Sequence, residues 1–378
     1  MRIDFTASER ASLGVEWELE LVDLATRQLV SGSNEILAEM APADGVEHPK
    51  AKHELLQSCV EVITGICTTV AEARADLSAT VAEVQALAAK RDIGVMCSGS
   101  HPTTDWATQE ISDDPRYQEL IRRNQWVARQ LQIFGVHIHV GVRGEDKVMP
   151  ILNALLTYVP HFLALSASSP YWIGSDTGLA SYRSKVCEAL PTAGLPYQLS
   201  GWDQFERYME LLISTQTIQS IREVWWDIRP HPNFGTVELR ICDGLPTLDE
   251  VTAVAAVAQC LVEQFDTQLD RGYTLPEPRA WVVRENKWRA ARYGLEAEIV
   301  VDPKGTVQPV RTAINDLVDD LTPTARRLGC ESELALVPRI LDYGASYERQ
   351  RKTAAEHGGD LIPVIDQLLE EMRLGLPL

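Results

Sequence analysis

The sequence predicts an α+β fold: a largely antiparallel sheet with one unusually polar face, flanked by long helices and followed by a helical C-terminal segment. Three observations point there. Runs of strict apolar/polar alternation recur between stretches of helical period. In several of those runs the polar positions are carboxylates, imidazoles or guanidiniums, as in LGVEWELELVD at residues 13–23. Residues 313–378 carry helical periodicity alone.

Along the chain, alternation and β-branched clustering predict strands over residues 14–21, 54–64, 93–98, 136–142, 225–229, 236–242 and 299–301. Helical spacing covers 69–91, 115–133, 147–166, 202–214, 247–270, 279–293, 313–328, 332–342 and 360–373. No repeat, low-complexity tract or Pro/Gly/Ser linker divides these elements. Residues 1–378 therefore read as a single domain, whose helical part from about residue 313 onward braces the rest. The longest apolar stretch, ILNALLTYVPHFLALSASS, is interrupted by Asn153, Pro160 and His161 and reads as a buried helix, not a membrane span.

With 378 residues, 45% of them hydrophobic, the chain can bury a substantial core. Its 54 acidic residues against 35 basic ones, a formal net charge of −19, argue against binding to nucleic acid or to anionic membranes. ATP remains compatible, because Mg²⁺ and a few local arginines invert the field inside a cleft. Seven scattered cysteines without a C-x-x-C pair read as reduced, mostly buried thiols. MRIDFTASER lacks the apolar stretch of a signal peptide, so a cytoplasmic protein is expected.

Four strands carry the chemistry. In the first, Val15, Trp17, Leu19 and Leu21 alternate with Glu16, Glu18 and Glu20, so three carboxylates share one face. Same-face neighbours lie about 6–7 Å apart, and at an effective dielectric near 20 each pair repels by about 2–3 kcal/mol. Such a face is either wet or holds a cation. In the second, Glu54 opens the segment and Glu61 sits among Cys59, Val60, Val62 and Ile63, where a carboxylate is paired or metal-bound. In the third, FGVHIHVGV, His137 and His139 share a face and can ligate a metal or position an anion. In the fourth, Glu238, Arg240 and Cys242 oppose Val237, Leu239 and Ile241, with a structural ion pair as the simpler reading of Glu238 and Arg240. Oxygen ligands in excess of imidazoles favour Mg²⁺ or Mn²⁺ over zinc. Several acidic groups together suggest more than one ion, as phosphoryl chemistry often requires.

Between the third and fourth strands lies a Gly/Ser/Thr/Pro-rich segment holding Arg183, which can clamp a carboxylate or phosphate. Residues 169–196 are expected to act as a lid. Arg229 is a second candidate for the anion site. Arg284, Lys287, Arg289 and Arg292 read as a solvated basic helix face. No G-x-x-x-x-G-K-[ST] loop is present, nor a G-x-G-x-x-G after a strand, and no cysteine stands beside a convincing base.

Assembled, these residues resemble the glutamate–cysteine ligase type 2 family of bacterial carboxylate–amine ligases. The matching segments are LGVEWELELVD, HELLQSCVEVITG, GVHIHVGV, ALSASSPYWIGSDTGLASYR, LPTAGLP, WWDIRPHPNFGTVELRICD and ENKWRAARYG, in order over residues 13–294, with DYGASYERQR beyond. The resemblance implies a glutamine synthetase/guanido-kinase-like fold, in which a curved sheet forms a funnel-shaped active site. It also implies the reaction: ATP phosphorylates the γ-carboxylate of glutamate, and an amine such as cysteine attacks the acyl phosphate, with Mg²⁺ or Mn²⁺. By motif, Glu16 and Glu18 match acidic metal ligands, and Glu61, His137 and Glu238 match further metal-site positions. Glu54, Arg183 and Arg240 match positions near the amino-acid substrate and phosphates, the two arginines as catalytic groups. His139 stands where more distant members carry Asn, which leaves substrate contact or ligation open. Glu20 matches no metal position and is expected at the wetter rim.

Two other readings stay open from the residues: a hydrolase using the H-x-H pair as zinc ligands, and a nucleotide- or amino-acid-binding protein without turnover. The open sheet edges of such folds also allow pairing into a homo-oligomer.

Overall fold

The computed structural model describes residues 2–42 and 46–377. Seven strands form its central sheet: β1 (Leu13–Asp23), β2 (Ala51–His53), β3 (Cys59–Ile63), β4 (Ile93–Met96), β5 (Gly135–Gly141), β6 (Ile228–His231) and β7 (Thr236–Asp243). The order is β6-β7-β5-β1-β3-β2, antiparallel throughout, with β4 joined to the far end of β1. β1 is the spine. It pairs with β5 through Leu13–Trp17, with β3 through Glu16–Glu20 and with β4 through Glu20–Asp23.

The alternation in β1 sorts its side chains as expected. Val15, Trp17, Leu19 and Leu21 join Val60, Val62, Val136, Ile138, Val140, Val237 and Leu239 in one core. Helices Val70–Ala89 and Leu248–Asp270 cover this face. Thr69 and Glu72 close a capping box at the start of the first, and Thr247 caps the second by accepting from the Glu250 amide. Trp17 also donates its indole N–H to the Leu245 carbonyl at 3.0 Å, tying the spine to the turn that launches the second helix.

Several expected elements are shorter than the pattern suggested. The helix over 115–133 divides into Pro115–Asn124 and Trp126–Arg129 at Gln125, whose φ of 48° ends the first helix. The helix over 147–166 runs as Glu145–Leu155, a 3₁₀ turn Leu156–Tyr158, and Val159–Ser166, because Pro160 cannot continue the hydrogen-bond ladder. That apolar stretch is long enough to cross a membrane, but 83% of its most apolar window is buried inside the protein. Of the strand expected over 54–64, only Cys59–Ile63 forms, and Glu54 lies in the turn between β2 and β3. Trp225–Trp226 pairs with Ala193–Gly194, outside the main sheet, and Glu298–Val300 makes a separate hairpin with Val307–Pro309. The C-terminal segment is helical as expected, and it gains Ser346–Glu356, which the periodicity did not reveal.

One irregularity matters for the site. The register of β7 against β5 shifts between Leu239 and Cys242, the mark of a β-bulge. Leu239 opposes Ile138 but Cys242 opposes Val136, so beyond the bulge the side-chain faces are exchanged. Cys242, expected on the polar face with Glu238 and Arg240, is buried in the apolar core. Asp243 opposes Gly135 on the polar side instead.

His161, 9% exposed, has a buried Nδ1 without a hydrogen-bond partner among the described residues. Burial pushes its pKa down to about 4, against about 6.5 for a free imidazole. The folded protein therefore resists a proton that the unfolded chain accepts: this group costs nothing above pH 6.5, and stability declines as pH falls from there towards 4. Urea unfolding of His161→Leu should lose about 2–3 kcal/mol less than wild type between pH 7 and pH 4.5. Parallel pH dependences would assign the acid sensitivity elsewhere.

Candidate active site

Pairing across the sheet brings the expected residues into register on the face opposite the core. Glu18 opposes Glu61 across β1 and β3, Glu16 opposes His137 across β1 and β5, and Glu238 opposes His139 across β7 and β5. Arg229 opposes Glu238 across β6 and β7. His137 Nδ1 lies 2.9 Å from Glu16 Oε2, and His139 Nε2 lies 3.2 Å from Glu16 Oε1. His139 Nδ1 turns to the Thr236 hydroxyl at 3.0 Å. With its Nδ1 hydrogen committed to Glu16, His137 presents Nε2 3.8 Å from Glu18 Oε1, buried and without a hydrogen-bond partner among the described residues.

Two groups result that share His137. Glu16, His137 and Glu238 have ligand atoms within 4.8 Å of one another, and so do Glu18, Glu61 and His137. Their electrostatics differ. Around Glu238, burial alone would favour the acid, but Arg229 and Arg240 hold its pKa far below the usual range. Arg229 Nε donates to Glu238 Oε2 at 2.6 Å, and Arg240 Nη1 donates to Oε1. Glu16 is likewise held low against burial by the charge of His139 and by hydrogen bonds from both histidines.

In the other group burial outweighs its compensation. Burial raises Glu18 to about 8, aided by the charge of Glu54 and opposed by the charges of Arg183 and Arg240 and by the Gly135 amide, which donates to its Oε2 at 2.5 Å. Burial and then Glu16, Glu54 and Glu18 push Glu61 well above the normal range. Among the described residues no hydrogen-bond or ion-pair partner reaches Glu61, and Lys52, opposite it on β2, points to Glu47. An orphaned imidazole nitrogen beside two carboxyl groups with raised pKa values is a donor set suited to a hard divalent cation. Carboxylates outnumber imidazoles here and His139 belongs to neither group, which disfavours the hydrolase reading of an H-x-H zinc site.

The structure reassigns several expected residues. Arg229 is not free to meet an anion: two of its nitrogens bind Glu238 and Nη1 donates to the carbonyls of Arg222 and Val224, so it braces Glu238. Glu20 is not at a wet rim. It is fully buried, accepts at Oε1 from the Ser98 amide and hydroxyl at 2.7 and 2.8 Å, and burial raises it to about 8. Lys287 is not part of a solvated face either: at 1% exposure it meets Asp227 at 2.5 Å and also Glu188. The segment over 169–196 is no loose lid. It contains a hairpin (Tyr171–Trp172 with Ser175–Asp176) and the short helix Arg183–Cys187, and its Ser169, Ser181 and Arg183 are buried.

Three participants lay outside the sequence reading. Tyr117 donates its hydroxyl to Glu54 Oε2 and accepts from Arg116 at 2.6 Å, which orients Glu54 beside the Glu18–Glu61 pair. Asp243 accepts from the Ser169 and Ser181 hydroxyls. Asp227, besides holding Lys287, receives the Arg240 amide on its carbonyl at 2.8 Å. Tyr117 falls in the expected helix over 115–133 and Asp227 in the expected strand over 225–229, but neither pattern showed the partner each would meet. All seven cysteines are free, and all but Cys187 are buried, in line with the thiol reading.

Comparison with known proteins identifies the family of the chain. Residues 12–367 match the model of the Glutamate-cysteine ligase family 2 (GCS2). The chain is 61% identical over 378 residues to a Frankia casuarinae protein named "Putative glutamate--cysteine ligase 2-1", covering 100% of this chain and 99% of that one. A Thermobifida fusca protein of the same name without the final numeral is 54% identical over 378 residues, covering 100% and 94%. The crystal structure of a Francisella tularensis glutamate–cysteine ligase in complex with AMP superposes with a TM-score of 0.70 over 98% of this chain and 90% of that one, at 13% identity, a likeness of fold. The chain therefore belongs to glutamate–cysteine ligase family 2.

Proposed function

We propose that this protein is an ATP-dependent carboxylate–amine ligase that joins the γ-carboxylate of glutamate to an amine, cysteine by default, through an acyl phosphate. One observation carries the reading: two carboxylate groups share His137 on a buried sheet face, with Arg240 Nη1 3.4 Å from that imidazole. Family membership and the names of the relatives support glutamate and cysteine as the reactants. The free, mostly buried cysteines support a cytoplasmic setting.

Glu18, Glu61 and His137 Nε2 would hold one divalent cation, and Glu16 and Glu238 offer the carboxylates for a second, Mg²⁺ or Mn²⁺ fitting this oxygen-rich set. When bound, such ions neutralise phosphate oxygens that would otherwise repel an attacking carboxylate. In the first step a γ-carboxylate oxygen attacks the γ-phosphorus of ATP and ADP leaves. Arg240 and Arg183 hold the reacting anions and offset the charge on the phosphoryl oxygens. In the second step the amine attacks the acyl carbon, phosphate departs, and the nitrogen gives up a proton. Glu54, oriented by Tyr117, and His139 face the amino-acid substrates, while Arg229 keeps Glu238 in place.

Purified protein with ATP, Mg²⁺ and glutamate should release ADP in proportion to added amine, with cysteine the first to try. No amine-dependent release across a broad amine panel would remove the ligase reading. Glu16→Gln and Glu238→Gln should each lower turnover on the order of 10²-fold or more while the circular dichroism spectrum stays native. Near-normal rates in both variants would take these carboxylates out of the site. Stripping divalent ions with EDTA should abolish activity, and Mg²⁺ or Mn²⁺ should restore it where stoichiometric zinc does not.

A further inference from the structure

Arg183 is a buried guanidinium with few partners. It is 6% exposed, Nη1 donates to the Arg240 carbonyl at 3.3 Å, and Nε has no hydrogen-bond partner among the described residues. Among the described residues no carboxylate lies within ion-pair distance of it. A long side chain with spare donors suits an anion, but its own contacts do little to keep it in one place.

Its backbone is held much more firmly. The Arg183 amide donates to Ser169 Oγ at 3.0 Å, and that hydroxyl donates to Asp243 Oδ2 at 2.6 Å. Asp243 Oδ2 also accepts from the Ser168 amide at 3.1 Å, and Oδ1 accepts from the Ser181 hydroxyl at 2.8 Å. Ser181 Oγ in turn receives the Ser184 amide at 3.4 Å. One fully buried carboxylate thus gathers both segments that lead into the Arg183–Cys187 helix.

The neighbouring glycines show how close this assembly sits. A Cβ on Gly99 would come within 2.6 Å of Asp243 Oδ2, and a Cβ on Gly135 would collide with the Arg183 guanidinium. Gly135 is also the residue that opposes Asp243 in the sheet and whose amide binds Glu18. Asp243, Gly135, Arg183 and Glu18 therefore form one packed unit, which runs from the bulged end of β7 to the cation-seeking carboxylates.

We propose that Asp243 is a positioning residue for the ligase reaction, fixing the Ser168–Ser169 and Ser181 segments so that Arg183 reaches across Gly135 to the reacting anions. The inference rests on the ligase reading, which makes Arg183 an anion clamp. A buried carboxylate surrounded by hydroxyl and amide donors is weak evidence for stability and better evidence for defined geometry. Asp243 touches no substrate in this scheme and acts through Ser169, Ser181 and Arg183.

The test is a double-variant cycle with two readouts, steady-state kinetics and calorimetric binding of ATP with Mg²⁺ in the absence of amine. Asp243→Asn keeps the side-chain size but replaces one acceptor oxygen by a donor. It and Arg183→Lys should each lower kcat/KM for glutamate about tenfold or more and weaken ATP binding. The double variant should fall no more than about twofold below Arg183→Lys, because both changes disable the same clamp. A purely structural Asp243 would lower the melting temperature of Asp243→Asn and leave the dissociation constant for ATP unchanged, which overturns the proposal. Losses that multiply in the double variant overturn it too. Calorimetry does not need turnover, so a wild type that binds ATP but forms no product would sink the ligase reading while the Asp243–Arg183 coupling is still read from binding. A wild type that does not bind ATP would overturn both. If Asp243→Asn does not fold, Ser169→Ala and Ser181→Ala each remove one arm of the network. Losses that merge with Arg183→Lys then support the proposal, and normal kinetics in both overturn it.

Discussion

Carboxylates on a strand repel, and in this protein strand pairing holds them together. β1 contributes Glu16 and Glu18, and its partners add Glu61 and His137, each placed directly opposite by the antiparallel register. The apolar face of the same strand, packed under two long helices, fixes that register: a slip of one residue would send every Glu into the core. Burial of Trp17 and its neighbours thus keeps like charges at short range. The polar half of the sheet depends on this coupling between faces.

The resulting charge is uneven across the face. On the β7 side Glu238 is matched by Arg229 and Arg240, so it stays ionised without help. On the β3 side Glu18 has the Gly135 amide, neither Glu18 nor Glu61 is ion-paired to an arginine among the described residues, and burial pushes both towards the acid form. One flank is thus preset with fixed ions, while the other gains most when a cation replaces protons. Such asymmetry suits chemistry in which an anionic triphosphate must meet an anionic nucleophile. The arginines are rooted in a separate frame. Asp243 gathers the serines around Arg183, and Lys287, held by Asp227 and Glu188, secures the far end of the Arg183–Cys187 helix and the strand entry that carries the Arg240 amide. These buried polar clusters define positions more than they add stability.

Local sequence carried much of this. Strict alternation in β1 and β5, and a single carboxylate within the apolar run of β3, marked the strands and the polar face on which Glu16, Glu18, Glu61, His137 and His139 stand. The reading weakened wherever periodicity was interrupted by backbone geometry. Gln125 adopts a left-handed φ and Pro160 breaks a hydrogen-bond ladder, so two long helical patterns became five shorter pieces. The bulge in β7 exchanged Cys242 and Asp243 between faces, which alternation cannot anticipate because it assumes a constant period of two.

The sequence by itself determined which residues share a strand face wherever the strand is unbulged, because side-chain period is a local property of the backbone. It also determined the family, because ordered motifs survive without reference to contacts. Only the tertiary structure decided which charges meet. Arg229 turned out to brace Glu238, Lys287 to be buried against two acids distant in sequence, Glu20 to sit on Ser98 away from solvent, and Tyr117 to orient Glu54. Apart from Arg229 and Glu238, which face each other across the β6–β7 hairpin, these pairings join segments far apart in the chain, and the energy of any such pair depends on distance and burial, neither of which exists until the chain has folded.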